Sequence, residues 1–350
     1  MPRKILFVIG STNQTTQMHA IASELAEFDC YFSQFFSENV LIKAAVKSGY
    51  LDHTILAGKF KEQSEKYLRA HGLKNDYALS VFHNHYDLVV MCSDLIVPKT
   101  IRKTKTIWVQ EGMTDRLTPW SNVVKALRLP PYLAVGTSLN GASNACDIYC
   151  AASEGYKEQF ASLGTDPNKI VVTGIPNFDN VKSFLENDFP HRNFVLVATS
   201  DIRECLGHDD RAGFIKKAVA IANGRPLIFK LHPNEKVARA TKEIKEHAPA
   251  DTQIFTEGNI NHMIANCDEL ITQFSTVVYT GMALGKKVHS YFDLNDLRRK
   301  MPSQNGGTSA KRIASIAKAF IEFNGSKEDF VKRYLPAKNE FGSRHLESAA

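Results

Sequence analysis

The sequence predicts an α/β protein made of two doubly wound parallel-sheet domains, and three observations point there. Short apolar runs of strand length end abruptly in polar residues and are followed by segments with helical spacing, the mark of βαβ units. The series breaks once, at Gly174-Ile175-Pro176-Asn177-Phe178-Asp179 and the polar, proline-containing stretch 183–192, and then begins afresh. The chain has 350 residues, more than one hydrophobic core ordinarily serves.

The first series opens with the apolar run 5–9, closed by Gly10-Ser11-Thr12-Asn13 and followed by a helical pattern over 18–28. Strand-like runs recur at 87–92, 106–109, 148–152 and 170–172, with helical stretches at 39–47, 59–70 and 155–163. Such unbroken apolar runs suit strands covered on both faces. Residues 118–145 form a long connection containing Trp120, Pro130, Pro131 and Gly141; connections of that length are usually functional or disordered. The second series reads as strand 194–198, helix 211–222, strand 227–231, helix 235–247, strand 253–256 and a short helix 261–266. It continues with strand 269–272, helix 276–284, strand 287–292 and helix 310–323. The domains are therefore set at 1–180 and 190–325. Segment 326–350, polar but carrying Phe330, Tyr334 and Phe341, either packs back on the first domain or frays. A ligand cleft between two such domains is the economical arrangement.

Composition narrows the function classes. Hydrophobic residues make up 43% and charged residues 23%, as in an ordinary globular protein. The net charge of +6 is mild and dispersed apart from Lys99-Thr100-Ile101-Arg102-Lys103-Thr104-Lys105, so no nucleic-acid footprint is expected. That run reads as a solvated loop, with a contact to an anionic lipid surface left open. The cysteines (Cys30, Cys92, Cys146, Cys150, Cys205, Cys267) are scattered, and Cys146-x3-Cys150 lacks a second ligand pair. His83-Asn84-His85 lacks nearby carboxylates, so no metal is expected. The opening Met1-Pro2-Arg3-Lys4-Ile5 has no signal-peptide layout, and no apolar run approaches about 18 residues. The chain reads as cytoplasmic, with peripheral contact to the inner face of a membrane left open.

Candidate chemistry sits at strand ends, where open parallel sheets bind ligands. Leu227-Ile228-Phe229-Lys230-Leu231-His232-Pro233-Asn234 and Ile271-Thr272-Gln273-Phe274-Ser275-Thr276 are expected to be adjacent strand tips converging on one phosphate. Lys230 and His232 are two apart, so on a strand they share a face and offer a charge and an N–H to phosphate oxygens. The alternative is a histidine bonded to a buried carbonyl. Pro233 stops the strand. Ser275 and Thr276 sit at a strand-to-helix turn, where hydroxyls cap the helix and free N–H groups face an anion. Ser200 and Arg203 follow the first strand of the second domain as diphosphate partners, and Gly258 marks a strand end whose backbone suits a base edge.

In the first domain, Gly10-Ser11-Thr12 lets backbone approach a ligand, but no G-x-G-x-x-G is present and NAD chemistry is disfavoured. Val109-Gln110-Glu111-Gly112-Met113-Thr114-Asp115-Arg116 ends another strand. Glu111 or Asp115 is the acid/base candidate, with Asp94 next; each suits a cap or an ion pair equally well. No P-loop, G-x-S-x-G, H-E-x-x-H or C-x-x-C occurs.

These motifs resemble the two-Rossmann-domain nucleotide-sugar superfamily: GT-B glycosyltransferases and the related UDP-N-acetylglucosamine 2-epimerases. The likeness runs from the opening strand to Phe292 and is strongest from Ile148 onward. It is carried by Lys169 to Asp179, Leu231-His232-Pro233-Asn234, Ser275-Thr276 and Ala283-Leu284-Gly285-Lys286-Lys287-Val288. The epimerase pattern is altered at several places. Gly10-Ser11-Thr12-Asn13-Gln14 stands for Gly-Thr-Arg-Pro-Glu, Trp108-Val109-Gln110-Glu111-Gly112 for His-Val-Glu-Ala-Gly, and Asp201-Ile202-Arg203-Glu204-Cys205 for His-Arg-Arg-Glu-Asn. Tyr279-Thr280 replaces the ribose-binding acids. His232-Pro233 with Ser275-Thr276 is similar to the branch of capsule, Kdo, sialic-acid and glycerol-phosphate transferases.

The resemblance implies a metal-independent, cofactor-free GT-B glycosyltransferase of polysaccharide biosynthesis. It would use a CMP-, CDP- or UDP-activated donor and a glycan or lipid-linked acceptor. The alternatives are a UDP-N-acetylglucosamine 2-epimerase-like enzyme and a non-catalytic nucleotide-sugar-binding relative. Donor, acceptor, stereochemical outcome and oligomeric state stay open.

Overall fold

The computed structural model describes residues 2–52, 54–76, 85–134, 136–204, 208–333 and 335. His83, Asn84, Cys205, Tyr334 and Phe341 lie outside the described residues. The chain divides into two α/β units, Met1–Asp179 with Asn305–Ala350, and Asn180–Gln304. The break in the series is where the sequence marks it. The C-terminal part differs: the chain returns to unit 1 at Asn305, well before residue 326, so the last long helix belongs to the first unit.

Unit 1 contains β1 (Lys4–Ile9), α1 (Thr12–Ser23), β2 (Asp29–Gln34), α2 (Val40–Lys47), α3 (Gly58–Ala70), β3 (Leu88–Met91) and α4 (Lys99–Arg102). It continues with β4 (Lys105–Val109), α5 (Pro119–Ala126), β5 (Ile148–Ala151), α6 (Glu154–Leu163) and β6 (Ile170–Val172). The strands form one parallel sheet in the order β2-β1-β3-β4-β5-β6, with Leu6 opposite Val89 and Ile107 opposite Ile148. The fully buried runs LVVM and IYCA explain the parallel pairing, because both faces are covered.

One face packs Phe7, Val90 and Ile107 against α1 and the returning helix α12 (Ser309–Glu322), through Ile313, Ala317 and Phe320. On the other, Trp108 lies against Tyr149 and Phe160, at 5.4 and 5.2 Å between ring centroids. Gly141, at φ +82°, passes so close that a Cβ would sit 2.7 Å from the Phe160 ring, so only glycine fits. Phe330, in the segment read as tail or docking piece, is fully buried against Phe320 and Phe323.

Unit 2 contains β7 (Val195–Ala198), α7 (Arg211–Ala222), β8 (Leu227–Lys230), α8 (Val237–His247), β9 (Gln253–Phe255) and α9 (Ile260–Asn266). These are followed by β10 (Glu269–Thr272), α10 (Val277–Ala283), β11 (Lys287–His289) and α11 (Leu294–Lys300). Its parallel sheet has the order β11-β10-β7-β8-β9. Alternate residues feed two half-cores. Val195, Val197 and Phe229 meet Phe214 and Ile215 of α7, while Leu196, Ile228 and Leu270 meet Met263 and Ile264 of α9. The strand order reverses between β7 and β10 in unit 2 and between β1 and β3 in unit 1, and ligands of doubly wound sheets bind at such reversals.

One expectation is corrected by this order. The tips bearing Lys230–His232 and Ser275–Thr276 are not adjacent, because β7 lies between β8 and β10.

Candidate functional site

The ends of β7, β8 and β10 in unit 2 are tied together by a buried ionic floor. Arg211, at the start of α7 and 3% exposed, donates from Nε to Asp209 Oδ2 at 2.8 Å and from Nη2 to the Ser200 carbonyl at 3.0 Å. The same Nη2 is 2.8 Å from Glu235 Oε1, and the side chains of Asp209 and Glu235 are wholly inaccessible. Gln273, just past β10, donates to the other Asp209 oxygen at 2.6 Å. Glu235 Oε2 accepts the His232 backbone N–H at 3.0 Å and the Thr199 hydroxyl. Charges taken this far from water persist when paired, as Arg211 is with Asp209 and Glu235. The sequence reading passed over Asp209, Arg211, Glu235 and Gln273. Their one signal is the Asp209-Asp210-Arg211 cluster opening a helix.

His232 stands on this floor. The Glu235 N–H donates to the His232 carbonyl at 3.0 Å, closing a turn with Pro233 in its second position, where a fixed φ suits it. The Asn234 N–H donates to His232 Nδ1 at 3.2 Å. A backbone amide can only donate, so Nδ1 is the acceptor, and in the neutral ring the proton sits on Nε2. The imidazole is about one-third exposed, and Nδ1 is also 3.6 Å from Asp201 Oδ2. Asp201 comes from the loop after β7 and accepts from the Asn234 side chain at 2.9 Å.

The other candidates of unit 2 separate into rim and frame. Ser200 is buried and its hydroxyl donates to the Phe274 carbonyl at 3.4 Å, linking the β7 and β10 ends across the strand-order reversal. Ser275 and Thr276 follow on the β10 side, both half-buried. Of the two expected caps, Thr276 makes none to α10, while the Ser275 hydroxyl accepts the Val277 N–H at 3.5 Å. Next to them Phe274 is 46% exposed, edge-on to Tyr291 and Phe292.

Lys230 does not join the rim. It is 7% exposed and its Nζ donates to the carbonyls of Leu231 (2.9 Å) and Thr256 (3.0 Å), stitching β8 to the loop after β9. Burial lowers its pKa. Arg203 is likewise committed, through two 2.7 Å bonds to Glu243, whose carboxylate raises the guanidinium pKa. Gly258 has φ +99°, a left-handed turn that calls for glycine in its own right.

In unit 1, Glu111 reaches from the end of β4 to the end of β1. Its Oε1 accepts from Ser11 Oγ at 3.3 Å and Asn13 Nδ2 at 2.9 Å, and its Oε2 from Gln14 Nε2 at 2.6 Å. Asn177 orients Asn13 by donating to its side-chain oxygen at 2.8 Å. Ser11 is also the N-cap of α1, accepting the Gln14 N–H, which starts that helix six residues before the sequence pattern does. Gly10 serves packing: a Cβ there would meet Ile55 at 2.7 Å. Thr12 lies outside the cluster, 3.5 Å from Gln63.

The two other carboxylates are braces. Asp94, 1% exposed, accepts from the Gly141 and Ser143 amides and from the Ser143 and Tyr149 hydroxyls at 2.6–3.2 Å. Burial raises its pKa against those bonds. Asp115 is exposed and accepts from the Thr137 amide at 2.7 Å and hydroxyl at 2.9 Å. A cavity of about 340 Å³ lies near the β1 and β2 ends, walled by Ile9, Phe35, Phe36, Ile42, Val46 and Leu56; Glu111 does not line it. Among the described residues, no cluster of His, Cys, Asp and Glu is placed to hold a metal, and no helix is long and apolar enough to cross a membrane.

Neither a protein-family model nor a curated protein sequence matches the chain. Solved structures do. A Listeria monocytogenes protein assigned as a UDP-N-acetylglucosamine 2-epimerase superposes with a TM-score of 0.60 at 15% identity, covering 92% of this chain and 97% of its own. UDP-GlcNAc 2-epimerase from Neisseria meningitidis, bound to UDP-GlcNAc, gives 0.57 at 13% identity over 90% and 100%. S. aureus MnaA with UDP gives 0.58 at 13% identity over 91% and 97%. The shared property is the fold: two parallel-sheet α/β units of the GT-B kind.

Proposed function

We propose that the chain is an enzyme acting on a nucleotide-activated sugar, with 2-epimerisation of a UDP-N-acetylhexosamine as its first reading. The observation that carries the proposal is His232. Its ring accepts the Asn234 N–H at Nδ1, which leaves the proton of the neutral ring on Nε2, and this one-third-exposed ring follows β8, the strand next to β7 of the β7/β10 reversal. Phosphate is the ligand such a donor suits best, and the hydroxyls of Ser275 and Thr276, past the end of β10 on the far side of β7, are further candidates for it. Phe274 adds an exposed ring on which a nucleobase can stack. In unit 1, Glu111 is the acid/base candidate, because three neutral donors hold its carboxylate in place while Asp94 and Asp115 are spent on loops. The solved structures of like fold named as UDP-GlcNAc 2-epimerases support the epimerase reading over transfer.

Transfer to an acceptor is the second reading, favoured by a specific observation. The ribose-binding acids of the epimerase pattern are absent, and Arg203, in the place of that pattern's arginines, is engaged by Glu243.

The two reactions part cleanly in heavy water. Epimerisation at C2 breaks and remakes a C–H bond, so UDP-GlcNAc incubated without acceptor should gain deuterium at C2 and yield the C2 epimer, and Glu111→Gln should slow this by about 10²–10⁴-fold. A donor that stays unlabelled until an acceptor hydroxyl is supplied, and then releases nucleotide, would replace the first reading by the second.

A further inference from the structure

We propose that residues 116–133 seat unit 1 on an anionic lipid bilayer. Half of the exposed large apolar side chains among the described residues fall in this one segment: Leu117, Trp120, Val123, Leu127, Leu129, Tyr132 and Leu133. Helix α5 is apolar on two sides. Its inner side is fixed to the unit by Ser121 and Val124, both fully buried, with Val124 packed on Ala134 and Leu139 and the Ser121 hydroxyl 2.8 Å from that of Ser138. Its outer side carries Trp120, Val123 and Leu127 at helical spacing, exposed by 49%, 41% and 64%. The outer stripe is apolar between the exposed Asn122 and Lys125, and nothing within the unit covers it.

The Trp120 indole N–H donates to the Leu133 carbonyl at 2.9 Å, tying the Pro131–Leu133 turn to the helix. The polar atom of the ring is thereby satisfied, and what faces outward is its apolar body. Tryptophan and tyrosine beside leucines are the side chains that settle at a bilayer interface.

Charge selects the occupant. Arg116, Lys125 and Arg128 are exposed on the same segment, and no Asp or Glu occurs from Arg116 to Cys146. Cations bordering an apolar face favour anionic headgroups. A second copy docking through the same face would oppose these cations to themselves, since a twofold interface meets its own patch. The short basic run at Lys99–Arg102 is not needed for this surface.

The test is co-sedimentation of the full chain with vesicles of phosphatidylcholine alone or mixed with phosphatidylglycerol, read together with tryptophan emission. The chain has two tryptophans, and Trp108 is fully buried, so a blue shift on adding vesicles reports Trp120. The wild type should partition onto the mixed vesicles, less so at high salt. Trp120→Ser/Leu127→Ser and Lys125→Gln/Arg128→Gln should each cut partitioning about 10-fold or more. Thermal melting of each variant separates lost docking from lost folding, and Leu127→Ser alone, which keeps the Trp120 bond to the Leu133 carbonyl and should melt with the wild type, should still reduce partitioning. The proposal is overturned by failure to bind mixed vesicles, by double variants that bind like wild type, or by a solution dimer that Trp120→Ser/Leu127→Ser converts to monomer.

Discussion

His232 owes its orientation to backbone amides rather than to its place along a strand. The i, i+2 argument put Lys230 and His232 on one face, but the strand ends at Lys230. Beyond it the Pro233 turn re-aims the histidine, while the lysine bends to two carbonyls. The place of the histidine just past a strand end was legible in the sequence; the turning-in of the lysine was not, because a buried ammonium goes where carbonyls are free, and spacing does not encode that. Replacing His232 by Ala should weaken nucleotide binding by about 1.5–3 kcal/mol, the range for a hydrogen bond to a charged group. Glu111 is legible as the carboxylate closing the Trp108-Val109-Gln110 strand end, yet only the fold shows Ser11, Asn13 and Gln14 gathered around it. Glu111→Gln should leave nucleotide affinity near wild type while lowering turnover.

At the scale of elements, unit 2 is held by two charge clusters at opposite ends of its sheet. At the strand ends, Glu235 bonds Arg211, Thr199 and the His232 amide. Glu235→Ala leaves Arg211 with Asp209 as its one carboxylate partner and removes an acceptor of the Thr199 hydroxyl and the His232 amide, and should cost about 1–3 kcal/mol in denaturant unfolding. At the start of β10, burial of Glu269 pushes its pKa up, but hydrogen bonds from His289, Arg225 and Lys287 outweigh this and bring it down from 4.5 to about 2.

A folded-state pKa below the unfolded one means that the stabilisation is present above about pH 4.5 and is lost as pH falls toward about 2. Wild type should therefore lose more melting temperature between about pH 5 and about pH 3 than Glu269→Gln does. Equal acid sensitivity would remove Glu269 from the account of the edge strand β11.

The long apolar strands were legible because two-sided burial leaves continuous runs. Strand β2 was not: Asp29-Cys30-Tyr31-Phe32-Ser33-Gln34 is an edge with polar residues, and it follows the helical pattern 18–28 with no break between them. Helix α5 was hidden in a connection bounded by prolines.

For the whole molecule, the chain path matters as much as the sheet count. The series of alternating strands and helices made two units readable. It assigned helix α12 to the nearer one, because sequence distance says nothing of a helix that crosses back. Ile313, Ala317 and Phe320 complete the core under β1, β3 and β4. Phe320→Ala should cost about 3–5 kcal/mol and destabilise unit 1 rather than unit 2, as hydrogen exchange resolved by residue would report.

The central claim is that the strand ends of unit 2 bind the phosphates of a nucleotide sugar through His232. Calorimetric titration of UDP into wild type, Glu111→Gln and His232→Ala tests it most directly. The account predicts matching affinities for the first two and a loss of about 10-fold or more for His232→Ala, the equivalent of roughly 1.4 kcal/mol. UDP that fails to bind the wild type, or binds His232→Ala equally well, would contradict it.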